Sequence, residues 1–238
     1  MLNNKITNTA LIGDMEVVLS SGVMAKQANG SIVLQCGNTV MLATATMSKK
    51  PKEGIDFFPL TVEYAEKSYS AGKIPGGFFK RESRPSTNAT LTARLIDRPI
   101  RPLFPKGMHF EVQVVVTVLS YDPAFPPEAL AINAASAALM VSNIPFSGPV
   151  GSVLVGYIDG KFVVNPSHAQ LEKSDLHIVV AGTKDAILMV EAGAQEVSEE
   201  VVLNSILVAH EHIKQCITLQ EGLAAKVAPT KLQLPEAP

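Results

Sequence analysis

The residues between positions 76 and 86, GGFFKRESRPS, place two aromatic rings and three basic side chains behind a pair of glycines. Adjacent phenylalanines in a strand or helix would point in different directions, and Gly-Gly favours a turn over either element. Exposed rings can stack on bases while neighbouring basic groups hold phosphates, the combination used by sequence-tolerant binders of single strands. A duplex would not offer its base faces. We therefore predict a single-strand contact made by Phe78, Phe79, Lys80, Arg81 and Arg84.

The segment 76–86 admits two other interpretations. The two rings could pack beneath the loop or in a subunit interface, as exposed aromatic pairs often do. Glycines at 72, 76 and 77 could also form a phosphate-cradling loop, but GKIPGG matches neither the P-loop spacing nor the dinucleotide fingerprint. Nucleoside triphosphate binding is therefore not expected.

The basic residues are concentrated in one part of the chain. All five arginines lie between Arg81 and Arg101, and the segment 72–106 has eight basic residues against two acidic ones, whereas the whole chain has a net charge of −2. An acidic body with one basic segment suits a polyanion that is guided to a single place. Internal salt bridges are the alternative, although two acids cannot pair eight bases locally.

The segment TNATLTARLIDR has helical character and places two arginines on a stripe usually filled by apolar residues. In such a helix Arg94 and Arg98 alternate with Leu91 and Leu95 at i, i+3, i+4, i+7 spacing. Guanidinium groups there need an anionic partner, for which phosphate or carboxylate would serve equally well. Arg101 follows Pro99, where the prolines of RPIRPLFP predict that the helix ends. We include Arg94, Arg98 and Arg101 among the residues expected to contact the polyanion.

The sequence predicts that a mixture of strands and helices positions these residues. Runs of strand length bounded by Gly, Asn, Asp or Pro are MEVVLSSG, SIVLQCG, TVMLATATM, PLTVEYAEKSY, EVQVVVTVLSY, VGSVLVGYID, KFVVNP and LHIVVAGT. Three helices are predicted over TNATLTARLIDR, PEALAINAASAALMVSN and SEEVVLNSILVAHEHIKQCITLQEGLAAK, the last opening with an N-cap serine and acids in its first turn. The proline-rich APTKLQLPEAP resembles a linker.

Composition limits the classes of protein that the chain can belong to. Its 238 residues are 47% hydrophobic, enough to bury a full core in one large domain or two small ones. The two cysteines match no metal-ligand spacing, and the N-terminus lacks the features of a signal peptide. The longest apolar run, VQVVVTVL, is far short of the roughly 20 residues that cross a bilayer. We expect a cytoplasmic protein without a membrane partner.

Over most of its length the sequence resembles a known family of RNA-degrading enzymes. The run DFFPLTVEYAEKSYSAGKIPGGFFKRESRPSTNATLTARLIDRPIRPLFPKG is similar to the first RNase PH-like domain of bacterial polynucleotide phosphorylases, as are NIPFSGPVGSVLVGYIDGKFVVNP and LHIVVAGT. The resemblance implies an α+β, RNase PH-like fold: a ribosomal-protein-like βαβ arrangement with mixed sheets and packed helices. It divides the chain into a first RNase PH-like domain, 1–220, and the start of a linker toward a helical domain, 221–238.

The same resemblance implies partners and a reaction. The family forms ring-shaped homotrimers in which phosphate attacks the 3′ end of single-stranded RNA and releases nucleoside diphosphates in mRNA turnover, with further partners expected from RNA-degradation assemblies. Its paired channel phenylalanines and the two basic residues after them correspond to Phe78, Phe79, Lys80 and Arg81. Lysine replaces the usual first arginine, so we expect a looser phosphate contact at that position.

The family's phosphorolytic centre lies in its second RNase PH-like domain, and its motifs are absent here. Where a serine cluster would bind phosphate, the chain has Phe125, Pro126, Pro127 and Glu128, and prolines supply no N–H donors. Where an Asp-x-Lys pair would support a metal, it has His177 and Val179. We predict no catalytic or metal-binding residue in this chain, with Mg²⁺ bound elsewhere in the full-length enzyme and inorganic phosphate as its co-substrate.

These observations predict part of a 3′-to-5′ phosphorolytic exoribonuclease, a polyribonucleotide nucleotidyltransferase, in which this segment binds and guides RNA and is inactive in isolation. Two alternatives remain open. One is a non-catalytic ring subunit that only threads RNA. The other is a stand-alone phosphorolytic RNase with a divergent site in this same domain.

Overall fold

The computed structural model describes residues 5–82 and 84–233. A first sheet has six strands in the order β1-β2-β3-β4-β6-β5. The strands are β1 (Ile6–Ile12), β2 (Met15–Ser21), β3 (Gly30–Cys36), β4 (Thr39–Pro51), β5 (Leu60–Glu66) and β6 (Phe110–Ser120). All neighbours are antiparallel except β5 and β6, which run parallel with Leu60 opposite Val112. The first sheet is therefore mixed, as the fold prediction requires.

A second sheet of four antiparallel strands follows, in the order β10-β9-β7-β8. Its strands are β7 (Gly151–Ile158), β8 (Lys161–Val164), β9 (Leu176–Gly182) and β10 (Ile187–Ala194). The α-helices are α1 (Thr87–Ile100), α2 (Pro127–Met140), α3 (His168–Leu171) and α4 (Glu199–Val227). Short 3₁₀ helices cover Ser68–Ala71 and Arg101–Leu103. Two sheets with helices packed on them confirm the predicted α+β class.

Strand sequences alternate where one face is buried. In β6 the four valines at 112, 114, 116 and 118 are fully buried while Gln113 is exposed, which is the period-two pattern of a half-buried strand. Sequence patterns did not identify β1 or β10. Both are edge strands, and both carry several exposed residues, so their apolar pattern is weak.

Helix α2 lies between the two sheets and is buried on every side except at Glu128 and Met140. Six alanines make up much of the helix, which lets its backbone approach β3, β4 and β7 closely. At Gly30 in β3 an added Cβ would lie 2.2 Å from the Ala138 carbonyl oxygen, so only glycine fits there. The buried Asn133 amide bonds both backbone groups of Ser152 in β7, at 2.7 Å and 2.9 Å.

Helix α1 corrects one expectation from the sequence. Pro99 lies inside the helix, which extends to Ile100, and the Arg101 amide still donates to the Asp97 carbonyl. Proline in the last turn removes only one helical hydrogen bond, so the helix tolerates it and passes directly into the 3₁₀ helix Arg101–Leu103. The prediction that the helix ends before Pro99 was wrong for this reason.

Helix α4 has the predicted N-cap, where the Ser198 hydroxyl accepts from the Val201 amide. It runs without a break past residue 220, where the sequence suggests a domain boundary. After α4 the chain returns to the end of α2, since Lys231 donates to the Leu139 carbonyl at 2.8 Å. In the described part of the chain, no helix is both long and apolar enough to cross a bilayer.

Replacing Asn133 by alanine should destabilise the fold. The substitution leaves the buried Ser152 amide without its acceptor and the Ser152 carbonyl with the weak thiol donor Cys216, whose Sγ lies 3.7 Å away, which costs about 1–3 kcal/mol. Urea unfolding followed by circular dichroism measures the change in midpoint. The exposed Asn88→Ala on α1 is the matched control and should shift the midpoint little. Equal midpoints for the two variants would show that the Asn133 bonds do not hold the sheets together.

Candidate nucleic-acid interface

The two phenylalanines project from the connection between β5 and α1. Phe78 is 94% exposed and Phe79 is 76% exposed. Their ring centroids are 5.3 Å apart with the planes nearly perpendicular, at 86°. Among the described residues the two rings contact each other, and their high exposure shows that they do not pack beneath the loop. Their faces are accessible to a planar partner.

The backbone of this turn explains its glycine. Gly77 has φ of +78° and begins the turn that carries both rings, a conformation that disfavours any side chain. Nothing lies within 4 Å of a Cβ built there, so conformation and not space requires glycine. Lys80 also has positive φ, at +49°, directly after the rings. The turn thus presents two rings and a lysine in succession to solvent.

Both ends of the loop are fixed to the body of the protein. Glu82 Oε1 accepts a hydrogen bond of 2.8 Å from the Ser68 amide, which ties the far side of the turn to the 3₁₀ helix Ser68–Ala71. The Tyr121 amide donates to the Ser70 carbonyl at 3.0 Å and anchors that 3₁₀ helix to the end of β6. The Ser86 hydroxyl then caps α1 by accepting from the Ala89 amide. Sequence reasoning missed the structural role of Glu82 because its partner lies 14 residues away.

The basic side chains predicted to bind RNA fall into two groups. Lys80, Arg81 and Arg84 are exposed beside the rings. Arg84 also lines a surface cavity of about 370 Å³ together with Lys67 and Glu82. Arg94 is exposed on α1, and no described residue forms an ion pair with it. These side chains are placed to contact a backbone that runs along the loop and α1.

Arg98 and Arg101 have carboxylate partners within the chain. Arg98 Nη1 lies 2.6 Å from Glu191 Oε2 of β10, and both side chains are about half exposed. Arg101 is held more completely: its Nε and Nη2 bond the Asp97 carboxylate at 3.0 Å and 2.7 Å. The same guanidinium donates to the carbonyls of Phe58 and Leu60 at 3.2 Å and 3.1 Å. Counting only local acids missed Glu191, which is 93 residues from Arg98 in sequence.

The internal partners of Arg98 and Arg101 compete with the predicted RNA contacts, which stay predictions. An exposed ion pair such as Arg98–Glu191 contributes little stability and can open for a phosphate. Arg101 satisfies three acceptors in two neighbouring segments, so it joins the end of α1 to the start of β5. Its role as an RNA contact stays a prediction, and the contacts seen here favour the internal ion pair that was the alternative.

The start of α2 is where the resemblance would place a phosphate-binding serine cluster, and this chain has other residues there. Helix α2 begins with Pro126 at its N-cap and Pro127 at its first position, so two of the backbone positions that could donate to an anion have no N–H, and Glu128 and Ala129 supply the remaining amides of the first turn. Glu128 follows, and its buried Oε2 has no hydrogen-bond donor among the described residues. A carboxylate at this position would repel a phosphate.

Two ionisable side chains that interact with Glu128, Tyr64 and His177, have shifted pKa values. Burial, followed by the hydrogen bond to Glu66, raises the pKa of Tyr64, whose hydroxyl donates to Glu66 at 2.7 Å. Desolvation lowers the pKa of His177 in β9. The Tyr121 hydroxyl lies 2.6 Å from His168 Nε2. In the described ranges, no three His, Cys, Asp or Glu side chains come together in a way that would hold a metal ion. The residues present therefore do not fit a carboxylate Mg²⁺ site.

Comparison with known proteins places this geometry in a family. The sequence profile described as the 3′ exoribonuclease family, domain 1, matches residues 15–145, and the profile described as domain 2 of that family matches residues 148–212. The first match covers most of the first sheet with α1 and α2, and the second covers the second sheet with the first half of α4. The chain belongs to the 3′ exoribonuclease family, with the RNase PH fold.

Within that family the chain is homologous to curated polyribonucleotide nucleotidyltransferases. It is 59% identical to the one from Anoxybacillus flavithermus over 90% of this chain and 30% of the relative. It is 54% identical to the one from Heliobacterium modesticaldum over 94% of this chain and 32% of the relative. The chain thus spans about a third of the length of these relatives. These matches confirm the predicted resemblance.

A solved structure supports the fold alone. The crystal structure of rice (Oryza sativa) Rrp46 superposes with a TM-score of 0.70 over 87% of this chain and 94% of that chain, at 14% sequence identity. At this identity the likeness shows a common architecture and carries no residue roles. It agrees with the two-sheet arrangement described above.

Replacing Arg101 by glutamine should lower the stability of the fold. The Leu60 carbonyl and the Asp97 carboxylate lose the guanidinium donor, and the Phe58 carbonyl keeps its bond from the Leu60 amide, so the substitution costs about 1–3 kcal/mol. Arg94→Gln is the matched control because that side chain is exposed on the same helix, and its urea midpoint should equal that of the wild type. If the Arg101→Gln midpoint also stays unchanged while RNA binding weakens, Arg101 is an RNA contact and not a structural one.

Proposed function

We propose that this chain binds and guides single-stranded RNA as part of a 3′-to-5′ phosphorolytic exoribonuclease that degrades RNA to nucleoside diphosphates in mRNA turnover. The observation that carries the proposal is the pair of exposed rings at Phe78 and Phe79 followed directly by Lys80 and Arg81. Large apolar rings are rarely left exposed without a partner, and basic neighbours select a partner with phosphates. Homology to polyribonucleotide nucleotidyltransferases supports RNA as that partner.

The binding is expected to tolerate sequence. Every base has a π face, so stacking on the phenylalanines does not distinguish bases, and Lys80 and Arg81 would neutralise the backbone on either side. Lys80 contributes a point charge without the bidentate fork of arginine. Arg84, Arg94 and Arg98 would extend the basic path from the loop along α1. Arg98 would do so by exchanging Glu191 for a phosphate.

We further propose that the phosphorolytic centre lies outside these 238 residues. Phosphorolysis must neutralise charge on the transferring phosphoryl group, which requires several donors and a cation. The start of α2 offers two prolines and the Glu128 carboxylate instead. Mg²⁺ and inorganic phosphate are then requirements of the full-length enzyme. The described residues bring together no three His, Cys, Asp or Glu side chains that could hold this cation.

The remaining proposals concern assembly and organisation and are supported by family membership. They are a ring-shaped homotrimer, association with RNA-degradation partners, and a cytoplasmic location. Residues 1–220 would form the first RNase PH-like domain, with 221–238 leading toward a helical domain. The unbroken course of α4 to Val227 would then carry the chain across this boundary as helix.

Removing both rings should weaken RNA binding without changing its salt dependence. Phe78→Ala with Phe79→Ala should cost roughly 1–3 kcal/mol per stacked base, because stacking is lost while phosphate contacts remain. Fluorescence anisotropy with labelled oligoadenylate at several salt concentrations measures affinity and slope. Phe57→Ala removes another exposed phenylalanine before β5 and should leave affinity unchanged.

A contrasting variant tests the electrostatic part in the same assay. Arg94→Gln should lower the salt slope by about one counterion, since one phosphate contact is removed. If the double phenylalanine variant binds RNA with unchanged affinity, the stacking proposal is wrong. The rings would then pack in a protein interface, as in the alternative interpretation.

The isolated 238-residue chain should show no phosphorolysis. Given single-stranded RNA, phosphate and Mg²⁺, it should release no nucleoside diphosphates above a blank, because the donors needed at the start of α2 are missing. The full-length polyribonucleotide nucleotidyltransferase from Anoxybacillus flavithermus is the positive control. Phosphate-dependent release by the chain, abolished by Arg98→Gln, would place a divergent active site here and favour the stand-alone RNase. An inactive full-length form of this protein would favour the RNA-threading subunit.

A further inference from the structure

A third exposed aromatic ring lies beside the loop of Phe78 and Phe79. Tyr69 is the second residue of the 3₁₀ helix Ser68–Ala71, and it is 58% exposed. Its hydroxyl has no hydrogen-bond partner among the described residues, and its ring contacts no other ring there. Among the described residues, neither a hydrogen bond of the hydroxyl nor a ring contact accounts for this exposed tyrosine.

Hydrogen bonds fix the position of Tyr69 relative to the loop. The Ser68 amide, one residue before Tyr69, donates to Glu82 Oε1 at 2.8 Å. Phe79 lies only three residues before Glu82, a chain span of at most about 11 Å. The Glu82 bond therefore holds the turn with the two phenylalanines close to the 3₁₀ helix that carries Tyr69.

The 3₁₀ helix is itself held to the rest of the protein. The Ser70 carbonyl accepts from the Tyr121 amide at the end of β6, and the Ser70 hydroxyl donates to the Lys67 carbonyl at 2.7 Å. Gly72 ends the helix in the left-handed conformation with its amide bonded to Tyr69. Lys67 and Lys73 flank the helix in sequence, so two basic residues lie within four positions of Tyr69 along the chain.

We infer that Tyr69 is a further RNA-stacking residue, anchored to the body of the protein, which receives a base of the strand held by Phe78 and Phe79. This inference rests on the proposed function. A tyrosine ring presents the same π face as phenylalanine, so it stacks any base. RNA would then contact the loop and the 3₁₀ helix together, with Glu82 as the positioning residue that sets their separation.

A tryptophan reporter tests the stacking directly. The chain contains no tryptophan, so Tyr69→Trp places a single indole fluorophore at this position, which can be excited selectively over the three remaining tyrosines. Titration with a twelve-nucleotide oligoadenylate should quench its emission at least twofold, because a stacked base quenches indole fluorescence. Phe57→Trp, at a side chain 61% exposed outside the loop, is the matched control and should change little.

Affinity measurements complete the test. Tyr69→Ala should weaken oligoadenylate binding about tenfold with an unchanged salt slope, whereas Tyr69→Phe should bind as the wild type does. The urea midpoint of Tyr69→Ala should not move, since the ring is exposed. If Tyr69→Ala binds normally while the double phenylalanine variant is weakened, the role of Tyr69 is overturned and the proposed function stands.

Two further outcomes would also count against the inference. Weakened binding by Tyr69→Ala without quenching in Tyr69→Trp would show that the side chain shapes the 3₁₀ helix and does not stack. Equal weakening by Tyr69→Phe would show that the hydroxyl, not the ring, contacts RNA. If the double phenylalanine variant keeps full affinity, the proposed function itself fails.

Discussion

The close contact of α2 with both sheets is the constraint on which the rest of the structure depends. The helix is buried along nearly its whole length, so its residues must be small where strands approach closely, and its buried polar groups must be paired. The alanines allow the close approach, and the Asn133 amide is paired because it bonds both backbone groups of Ser152. Because interiors are packed to crystal-like density, this arrangement leaves little freedom in how the sheets meet across the helix. The start of α2, with Pro126 and Glu128, is consequently fixed in place as well.

The same architecture explains why the loop can project. β5 is the edge strand of the first sheet, and its parallel pairing with β6 requires a crossover connection through α1. A crossover that leaves from an edge strand has no neighbouring strand outside it, so the chain between Glu66 and Ser86 extends from the sheet without being covered. The Glu82–Ser68 bond then limits how far the turn can move. The position and exposure of the Phe78 and Phe79 rings thus follow from the crossover at the edge strand β5. The Glu82–Ser68 hydrogen bond then holds the turn that carries the rings.

Sequence patterns predicted the elements whose signals are local and strong. The valine alternation of β6, the N-cap of α4 and the alanine-rich α2 were all readable, because burial and capping act within a few residues. The edge strands β1 and β10 were missed since half-exposed strands have weak alternation, and hydrogen bonds to β2 and β9 decide them. Pro99 was misjudged because a proline in the last turn removes just one bond. These differences reflect tertiary contacts that overrule local preference.

For the site, residue types were easier to predict than partners. Exposed rings at Phe78 and Phe79 followed from Gly-Gly and the absence of any element that could bury them. Partners of Arg98 and Arg101 did not follow, since Glu191 is distant in sequence and backbone carbonyls have no sequence signature. Tyr69 gave no signal at all, because a tyrosine after a strand is most often packed. Only its exposure and the bond from Ser68 to Glu82 connect it to the loop.

The distribution of charge in the chain is the one that the proposed function, RNA binding without cleavage, would require. At the loop, positive charge adjoins aromatic faces in water, where phosphates and bases can both be satisfied. At the start of α2, Pro126 and Pro127 remove two amide donors, and the Glu128 side chain adds a carboxyl group whose Oε2 has no hydrogen-bond donor among the described residues. A phosphoryl group would meet repulsion there and attraction at the loop. The packing of α2 fixes the start of that helix, and the β5–α1–β6 crossover positions the loop. Under the proposed function, the chemistry of cleavage would be supplied by residues other than those at the start of α2.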